Sequence, residues 1–294
     1  MKWIDACLKS TNAYEVIVVD NNSADGTADY ILATYPDVEV IQQQKNLGFG
    51  RANNIGISIA YGKGCRGVFL LNQDAYLFPD TIERLDQFYK RNRDYGLLSP
   101  IHLAGDNYHL DRNFKDYILS STNRDFISDS LNNRLAESYD VPFVNAAAWY
   151  IPRKSIEKIG GFDPIFDHKG EDENYCQRLR YHDFKIGIVS EAMVIHDRNQ
   201  NPKQSPSIYS PEYYEQLERV YKVELADINR DLSALTIKEI HFSRKVAYYK
   251  AYIKLNAKQV RKARADLRML QELLPQIIDS RNKSITIGSH YLKF

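Results

Sequence analysis

The sequence predicts an α/β fold in which a sheet flanked by helices is followed by a C-terminal α-helical extension. Two observations carry this prediction. Through the first half of the chain, short apolar runs alternate with amphipathic stretches, the pattern of strands and helical crossovers that build a mostly parallel sheet. From Ile240 onward, apolar residues recur at alternating spacings of four and three, which is the period of a helix.

The elements of the first part follow from local patterns. The runs EVIVV and VFLL are continuously apolar, as strands buried on both faces of a parallel sheet are. Asp25-Gly26 and Pro36-Asp37 provide turns between elements. We therefore predict strands over 15–19, 38–42 and 67–71, and helices over 27–35 and 50–61.

The middle of the chain is less regular. Residues 94–141 are rich in Asn, Asp and Ser, and we predict that they form loops over the far end of the sheet, where a substrate would bind. Regular structure resumes with an apolar run at 143–151. We then predict a helix after Pro152, a break at Gly160-Gly161, a helix over 172–182 and a strand over 185–194.

The net charge of +1 conceals two oppositely charged parts. From Ile240 onward there are 12 Lys+Arg and 3 Asp+Glu, a net +9, so the first 239 residues carry −8. We predict a domain at 1–205 and a basic helical extension at 206–294. Pro275 is predicted to end the helix of the extension. The apolar stripe of that helix, with one polar break, comprises Phe242, Val246, Tyr249, Ile253, Asn256, Val260, Ala263, Leu267, Leu270 and Leu274.

Composition excludes several classes of protein. With 44% hydrophobic and 26% charged residues, the chain is neither collagen-like nor wholly disordered. Three cysteines without CxxC spacing support no disulfide framework or zinc module, and they predict a reducing, cytoplasmic location. No apolar run approaches the ~20 residues that cross a bilayer, and the first ten residues lack a signal-peptide core, so any membrane contact is predicted to be peripheral.

Polar residues follow two of the predicted strands. Asp20 ends EVIVV, where the carboxyl ends of parallel strands form a ligand crevice, and would accept hydrogen bonds from a base or ribose. The alternative is that Asp20 and Ser23 cap the next helix. Asn72-Gln73-Asp74 ends GVFLL and offers oxygen ligands suited to Mg²⁺ or Mn²⁺, although an acidic turn after a strand is common.

A glycine-rich segment, NLGFGRANN, opens a predicted helix. Its GxGxx pattern carries Asn53 where a dinucleotide-binding fingerprint has its third glycine, so a nicotinamide-dependent oxidoreductase is disfavoured. Flexible backbone with Arg51 at a helix start would instead bind phosphate. The alternative is an ordinary turn with an exposed arginine.

Three consecutive carboxylates, Glu171, Asp172 and Glu173, lie at a predicted helix start. Their mutual repulsion would raise the pKa of at least one and suit a general base. Carboxylates also stabilise helix N-termini, which is the simpler interpretation. His196, after the last predicted strand, is either a ligand or a surface residue.

Taken together, the ordered motifs VVDNNSADGT, NLGFGRANN, LLNQDAYL, GGFDPIFDHKGEDENYCQRL and EAMVIH resemble the family 2 glycosyltransferases of GT-A fold, especially bacterial rhamnosyltransferase-like members. The resemblance spans about residues 5 to 200. It implies a mixed sheet flanked by helices, and an inverting hexosyltransferase that uses a UDP- or dTDP-sugar with Mn²⁺ or Mg²⁺. The implied setting is bacterial surface polysaccharide synthesis for the cell envelope, with a glycan or lipid-linked acceptor.

The resemblance also implies roles for particular residues. Asp172 matches the catalytic base, and Glu171 would orient the acceptor or support Asp172. Asp74 matches the last carboxylate of the family's DxD motif and would bind metal, with His196 completing the site. The first carboxylate of that motif is replaced by Asn72. The predicted nucleotide-binding positions are Asp20, Asn22, Arg51, Asn53, Asn72 and Asp74.

One departure from the family's pattern bears on function. The chain begins within the helix that normally follows the first, central strand. Three interpretations stay open: the start was placed too far downstream, residues 284–288 fill the strand's position, or donor binding is impaired. Together with Asn72, this departure keeps a non-catalytic assembly module as the alternative to an enzyme.

The basic extension admits three interpretations. Its apolar stripe would pack within the chain or form a homodimer through the C-terminal helices. Its lysines and arginines would alternatively hold the protein against anionic lipid, at the inner face of the membrane. Nucleic-acid binding is disfavoured, because no recognised binding module accompanies the charge.

Overall fold

The computed structural model describes residues 2–8, 14–119, 123, 125–167, 169–201, 205–207, 210–255 and 257–293. Two compact units can be separated. Unit 1 comprises Met1–Pro202 and Ile287–Phe294, and unit 2 comprises Lys203–Thr286. The division into domains 1–205 and 206–294 stays a prediction, to which the structure adds that the last residues belong with unit 1.

Unit 1 contains a small parallel sheet at its start. Helix α1 (Lys2–Leu8) precedes strand β1 (Ile17–Asp20), which pairs in parallel with β2 (Glu39–Gln42) across helix α2 (Thr27–Thr34). Helix α3 (Phe49–Gly62) packs against β1 and against β3 (Gly67–Leu71), the first strand of the larger sheet. These elements agree within two residues with the predicted ones.

The larger sheet has six strands and is mixed. Besides β3, its strands in the described part of the chain are β4 (Ala75–Leu77), β5 (Tyr95–Ala104), β6 (Ser138–Asp140), β7 (Ala148–Pro152) and β8 (Lys185–His196). Their order is β3-β7-β5-β8-β4, with β6 paired to β8. Among the described residues of this sheet, only β5 and β8 pair in parallel, so the expectation of a mostly parallel sheet was wrong, whereas the mixed sheet implied by the family resemblance is confirmed.

Helices cover this sheet and bury its core. They are α4 (Thr81–Arg91), α5 (Arg112–Ile118), α6 (Asp125–Leu131), α7 (Arg153–Ile159) and α8 (Glu171–Tyr181). Trp149, Phe162 and Tyr175 are fully buried, and their ring centroids lie within 5.9 Å of one another, which packs β7, the 160–167 loop and α8 together. The apolar core therefore fixes where α8 begins.

The expectation of loops over 94–141 was wrong. Strand β5, at the middle of the sheet, is almost entirely buried, yet its sequence YGLLSPIHLA contains Gly96, Pro100 and His102. The register shifts between Pro100 and Ile101, so the proline lies at an irregularity in the ladder, where a missing N–H is tolerated. The polar residues of this strand are hydrogen-bonded inside the core, which hides the usual apolar signal.

Unit 2 is helical, with α9 (Pro211–Ala226), α10 (Ala234–Ile253) and α11 (Ala257–Ser284). Arg281 donates to the carbonyl oxygens of Leu225, Asp227 and Arg230, which ties α11 to the end of α9. Among the described residues, no helix is long and apolar enough to span a membrane.

The predicted single heptad helix is interrupted between α10 and α11, where Leu255 has φ of 51°. Asn256 lies outside the described residues. Pro275 does not end the helix, because α11 continues to Ser284 with Leu274 and Ile277 buried on either side of the proline. Residues 284–288 form no strand where described, so they do not occupy the first strand's predicted position.

Candidate active site

Asp74 and His196 are brought together by strand pairing. Ala75 of β4 lies opposite His196 of β8, so Asp74 is adjacent to the histidine, with Oδ1 3.4 Å from His196 Nε2. His196 is only 3% exposed, which excludes the surface interpretation. Burial raises the pKa of Asp74, but the hydrogen bond and charge of His196 outweigh it and hold that pKa below its usual value.

Asn72 shapes the turn that presents Asp74. Its backbone N–H donates to Ala147 at 2.9 Å, and its carbonyl accepts from Ala75 at 3.0 Å. Among the described residues, no three His, Cys, Asp or Glu side chains form a metal-binding cluster. The 3.4 Å between the Asp74 and His196 atoms nevertheless suits neighbouring ligands on an octahedral ion, which lie roughly 3 Å apart. The spacing of the pair therefore fits two ligands of one divalent metal, which Asp74 and His196 would hold.

A network that sequence reasoning missed supports this pair from behind. Asp111 is fully buried at the start of α5 and accepts two bonds from the guanidinium of Arg198, at 2.7 and 2.8 Å. Gln200 adds a third at 3.0 Å, and Asp111 Oδ2 lies 3.9 Å from His196 Nδ1. Burial raises the pKa of Asp111, but these hydrogen bonds outweigh burial and hold that pKa well below its usual range. The sequence around Asp111 is typical of a helix N-cap, and this signal could have been recognised. Its ion-pair partner, Arg198, lies 87 positions away and could not be recognised from the local sequence.

The three carboxylates at the start of α8 are not equivalent. Glu171 is buried, Asp172 is partly buried and Glu173 is exposed. All three lie in the first helical turn, as the helix-start interpretation requires, and Asp172 accepts from the N–H of Glu173 at 2.9 Å.

Tyr117 links Asp172 to the Asp111 network. Burial and the negative charge of Asp172 raise the pKa of Tyr117 to about 12, while the positive charge of Arg198 opposes the shift. The tyrosine hydroxyl therefore lies within electrostatic range of Asp172, Arg198 and Asp111. Tyr117 is thus electrostatically coupled both to Asp172 of α8 and to the Asp111–Arg198 pair.

Arg51 is held by the loop before α8. Its guanidinium donates to the carbonyl of Pro164 at 2.6 Å and pairs with Asp167 at 2.9 Å. The neighbouring Asn53 donates to the carbonyl of Phe49 within its own helix. Asn54, which was not predicted, is buried and binds both the N–H and the carbonyl of Phe162, at 2.7 and 2.8 Å.

The end of β1 forms a separate group of candidates. Asp20 is buried, and its carboxylate accepts from the N–H of Ser23. The helix-cap alternative was wrong, because Gly26 is the N-cap of α2 and no side chain bonds there. Asn22 is exposed with φ of 70°, whereas Asn21 accepts from the N–H of Leu47 at 2.8 Å.

Asn21 thereby joins the β1 turn to the loop that opens α3. Within the described residues, no hydrogen bond or ion pair joins Asp20 or Asn22 to Asp74 or His196. The predicted nucleotide positions lie on three parts of unit 1: the end of β1, helix α3 with Arg51 and Asn53, and the turn between β3 and β4.

The mixed sheet flanked by helices, with Asp74 and His196 at its strand ends, agrees with the GT-A fold that the family resemblance implies. The family model "Glycosyl transferase family 2" matches residues 2–160, more than half of the chain. The protein belongs to family 2 of the glycosyltransferases and is a glycosyltransferase.

Particular relatives agree with this assignment. The dTDP-rhamnosyl transferase RfbF of Shigella flexneri is 22% identical over 244 residues, covering 80% of this chain and 78% of that protein. The structure of S. aureus TarS 1-349 in complex with UDP matches with a TM-score of 0.50 and 18% identity, over 97% of this chain and 83% of that one.

A more distant solved structure, GalNAc-T7 with UDP, GalNAc and Mn²⁺, matches with a TM-score of 0.50 and 15% identity. The match covers 76% of this chain and 47% of the GalNAc-T7 chain, so this chain spans about half its length. At these identities, the solved structures establish the GT-A fold alone.

Proposed function

We propose that the protein transfers a hexose, with inversion, from a nucleotide-diphosphate sugar to a hydroxyl of a glycan or glycolipid acceptor. The observation that carries the proposal is the Asp74–His196 pair formed by the pairing of β4 with β8. Asp172 lies in the first turn of α8 and is electrostatically coupled to Tyr117 of α5. The likeness to a dTDP-rhamnosyl transferase favours a dTDP- or UDP-sugar donor and a role in bacterial surface polysaccharide synthesis.

The proposed mechanism is a single displacement. Asp172 accepts the proton of the acceptor hydroxyl as that oxygen attacks the anomeric carbon, and the bond from that carbon to the diphosphate oxygen breaks. Glu171 is buried in the same helical turn, and its proposed role is to orient the acceptor or to support Asp172. One carboxylate acts at the acceptor, so a flanking carboxylate pair of the glycosidase type is not required.

On the donor side, Asp74 and His196 are the proposed ligands of a divalent metal, Mn²⁺ or Mg²⁺, with Asn72 shaping their turn. When bound, such an ion neutralises charge on the leaving diphosphate. Arg51, which the 160–167 loop holds, is proposed to lie beside the donor diphosphate. Asp20, Asn22 and Asn53 are proposed to contact the nucleotide. Arg198, whose charge lowers the pKa of Asp74, adds positive potential near the pair.

A donor screen tests this function. The protein is mixed with dTDP- and UDP-sugars and Mn²⁺ or Mg²⁺, and nucleoside diphosphate release is measured beside calorimetry with dTDP and UDP. We expect one nucleotide to bind with metal and its sugar donor to turn over. Binding without turnover of any donor would favour the non-catalytic assembly module. If neither dTDP nor UDP binds, neither a dTDP-sugar nor a UDP-sugar is the donor.

The basic helical unit suggests where the protein acts. Phe242, Tyr249 and Ile253 are exposed, so the part of the predicted stripe on α10 is not packed within the chain, whereas Leu270 and Leu274 on α11 are buried. A homodimer through α10 and peripheral contact with anionic lipid at the inner face of the membrane both remain proposals. Light scattering tests the first, and co-sedimentation with anionic vesicles tests the second.

A further inference from the structure

The chain's end returns to unit 1 as a short segment, residues 287–293, which we call the C-terminal strap. The N–H of Gly288 donates to the carbonyl of Lys158 at the end of α7, at 3.0 Å. Farther along, the N–H of Lys293 donates to the hydroxyl of Ser58 on α3, at 3.1 Å. Between these points the strap crosses the 160–167 loop, so it joins α7, the loop and α3.

The strap lies against the loop backbone without intervening side chains. The N–H of Gly161 donates to the carbonyl of His290 at 2.8 Å. A Cβ on Gly160 would overlap the His290 backbone, and one on Gly161 would overlap Asn54 Oδ1 and lie 2.6 Å from Leu292 Cδ2. The Gly160-Gly161 pair is therefore required by the close approach of the strap, and not only by the end of α7.

Tyr291 makes the side-chain contact with the loop. Its hydroxyl donates to Asp163 Oδ2 at 3.0 Å, and its ring centroid lies 5.4 Å from the guanidinium of Arg178. Asp163 is 1% exposed, and its other oxygen accepts from the N–H of Ile165, which closes the turn of the loop. Tyr291 has φ of 67°, a conformation that a bulky side chain adopts only where its surroundings enforce it.

This loop contacts one proposed site residue, Arg51, and precedes the helix that carries another, Asp172. Its Pro164 and Asp167 bind Arg51, and its far end leads into α8, where Glu171 and Asp172 begin the helix. Gly50 of α3 packs against Phe162 and Glu171, so α3, the loop and the start of α8 form one packed group. Arg178 of α8 also donates to the carbonyl of Gly161, which fixes the loop to that helix.

We propose that the C-terminal strap positions the 160–167 loop and, through it, Asp172 and Arg51, and that Tyr291 is a positioning residue for sugar transfer. The inference rests on the proposed function of the site. Tyr291 does not touch the reacting groups; it holds Asp163, which holds the turn that precedes α8.

The test compares Tyr291→Phe with Tyr108→Phe in the full chain, because Tyr108 is 81% exposed in the same unit. With the donor that the parent uses, we expect Tyr291→Phe to lower kcat about 3- to 10-fold, the value of one hydrogen bond, with donor KM changed less than about twofold. Hydrogen exchange of residues 160–167 and 171–175 should accelerate in the same variant, while the thermal midpoint stays close to that of the parent.

Two further comparisons separate positioning from general stability. Because Asp163→Ala removes the acceptor of the same hydrogen bond, Tyr291→Phe combined with Asp163→Ala should lower kcat no more than the stronger single change. A chain lacking residues 287–294 should regain activity when the peptide of those residues is added, and less when the peptide carries Phe in place of Tyr291. If the truncated chain does not fold, the point variants carry the test alone.

The outcomes are distinguishable from failure of the proposed function. If Tyr291→Phe matches Tyr108→Phe in kcat and in hydrogen exchange, the strap does not position the loop and the inference is wrong. If the parent turns over no donor, the transferase proposal fails first. Exchange of the 160–167 loop then decides the structural claim by itself.

Discussion

Oδ1 of Asp74 lies 3.4 Å from Nε2 of His196, across the antiparallel pairing of β4 with β8. The two side chains differ in access to solvent, because His196 is 3% and the Asp74 side chain 42% exposed. An incoming ligand would therefore meet the carboxylate first and reach the imidazole through it. This arrangement directs the proposed donor site toward Asp74.

We expect Asp74→Asn and His196→Asn each to weaken metal-dependent nucleotide binding about 10-fold or more, since each removes one member of a charge-assisted pair. Calorimetry with dTDP or UDP in Mn²⁺ measures the effect. His109→Asn is the control, because His109 is an exposed histidine of the same unit. Unchanged affinity in both site variants would place the donor elsewhere.

Asp172 and Glu173, in the first turn of α8, allow a matched test of the proposed catalytic base. Asp172→Asn should lower transfer about 100- to 10,000-fold, the usual contribution of a general base, with nucleotide affinity nearly unchanged. Glu173→Gln alters an exposed carboxylate in the same helical turn and should leave transfer near the parent rate. Steady-state rates of nucleoside diphosphate release compare the two variants with the parent. An Asp172→Asn variant that transfers sugar at the parent rate would exclude Asp172 as the base.

Apolar runs and helix periodicity predicted several strands and helices correctly. Strand β3, helix α3 and strand β8 lie where apolar runs and helix periodicity placed them. Strand β5 was missed because Ser99 and His102 hydrogen-bond to each other inside the core and its proline lies at a register shift, neither of which is visible in a window of sequence. The continuation of α11 through Pro275 likewise depends on burial of the flanking leucine and isoleucine.

The site was predictable only in part. Asp74 and His196 could be named from ordered motifs, but their contact depends on the pairing of β4 with β8. The bond between Arg198 and Asp111 joins residues 87 positions apart, and that between Tyr291 and Asp163 joins residues 128 apart. No local pattern marks such partners, since each residue type is common at surface turns.

Close backbone packing at Gly161 predicts a large loss of stability on substitution. Gly161→Ala should lower the free energy of unfolding by about 1–3 kcal/mol, because the new methyl group would overlap Asn54 and contact Leu292. Gly62→Ala is the matched control. A Cβ there meets nothing within 4 Å, so that variant should be neutral or more stable by about 0.4–1 kcal/mol. Urea unfolding of both variants measures the difference, and equal stabilities would contradict the packing argument.

Tyr95 predicts a specific alkaline instability. Its hydroxyl donates to Asp140 at 2.6 Å, beside the hydroxyl of Ser138, and the Lys185 amine lies 5.6 Å from its ring. Burial and the Asp140 carboxylate raise the pKa of Tyr95 from 10.0 to about 12. The raised pKa stabilises the fold fully below pH 10, and this stabilisation is lost as pH rises through 12, because the unfolded chain ionises first.

The loss should approach about 1.4 kcal/mol per pH unit over that range. Tyr95→Phe has no ionisable hydroxyl, so its free energy of unfolding should fall less steeply between pH 10 and 11.5, although it is lower at neutral pH by about 1 kcal/mol for the lost hydrogen bond. Urea unfolding across this range gives both slopes, and Tyr108→Phe should keep the parent slope. Since other groups also titrate there, the difference between the Tyr95→Phe and parent slopes is the decisive quantity, and parallel curves would show that the buried hydroxyl does not cause the instability.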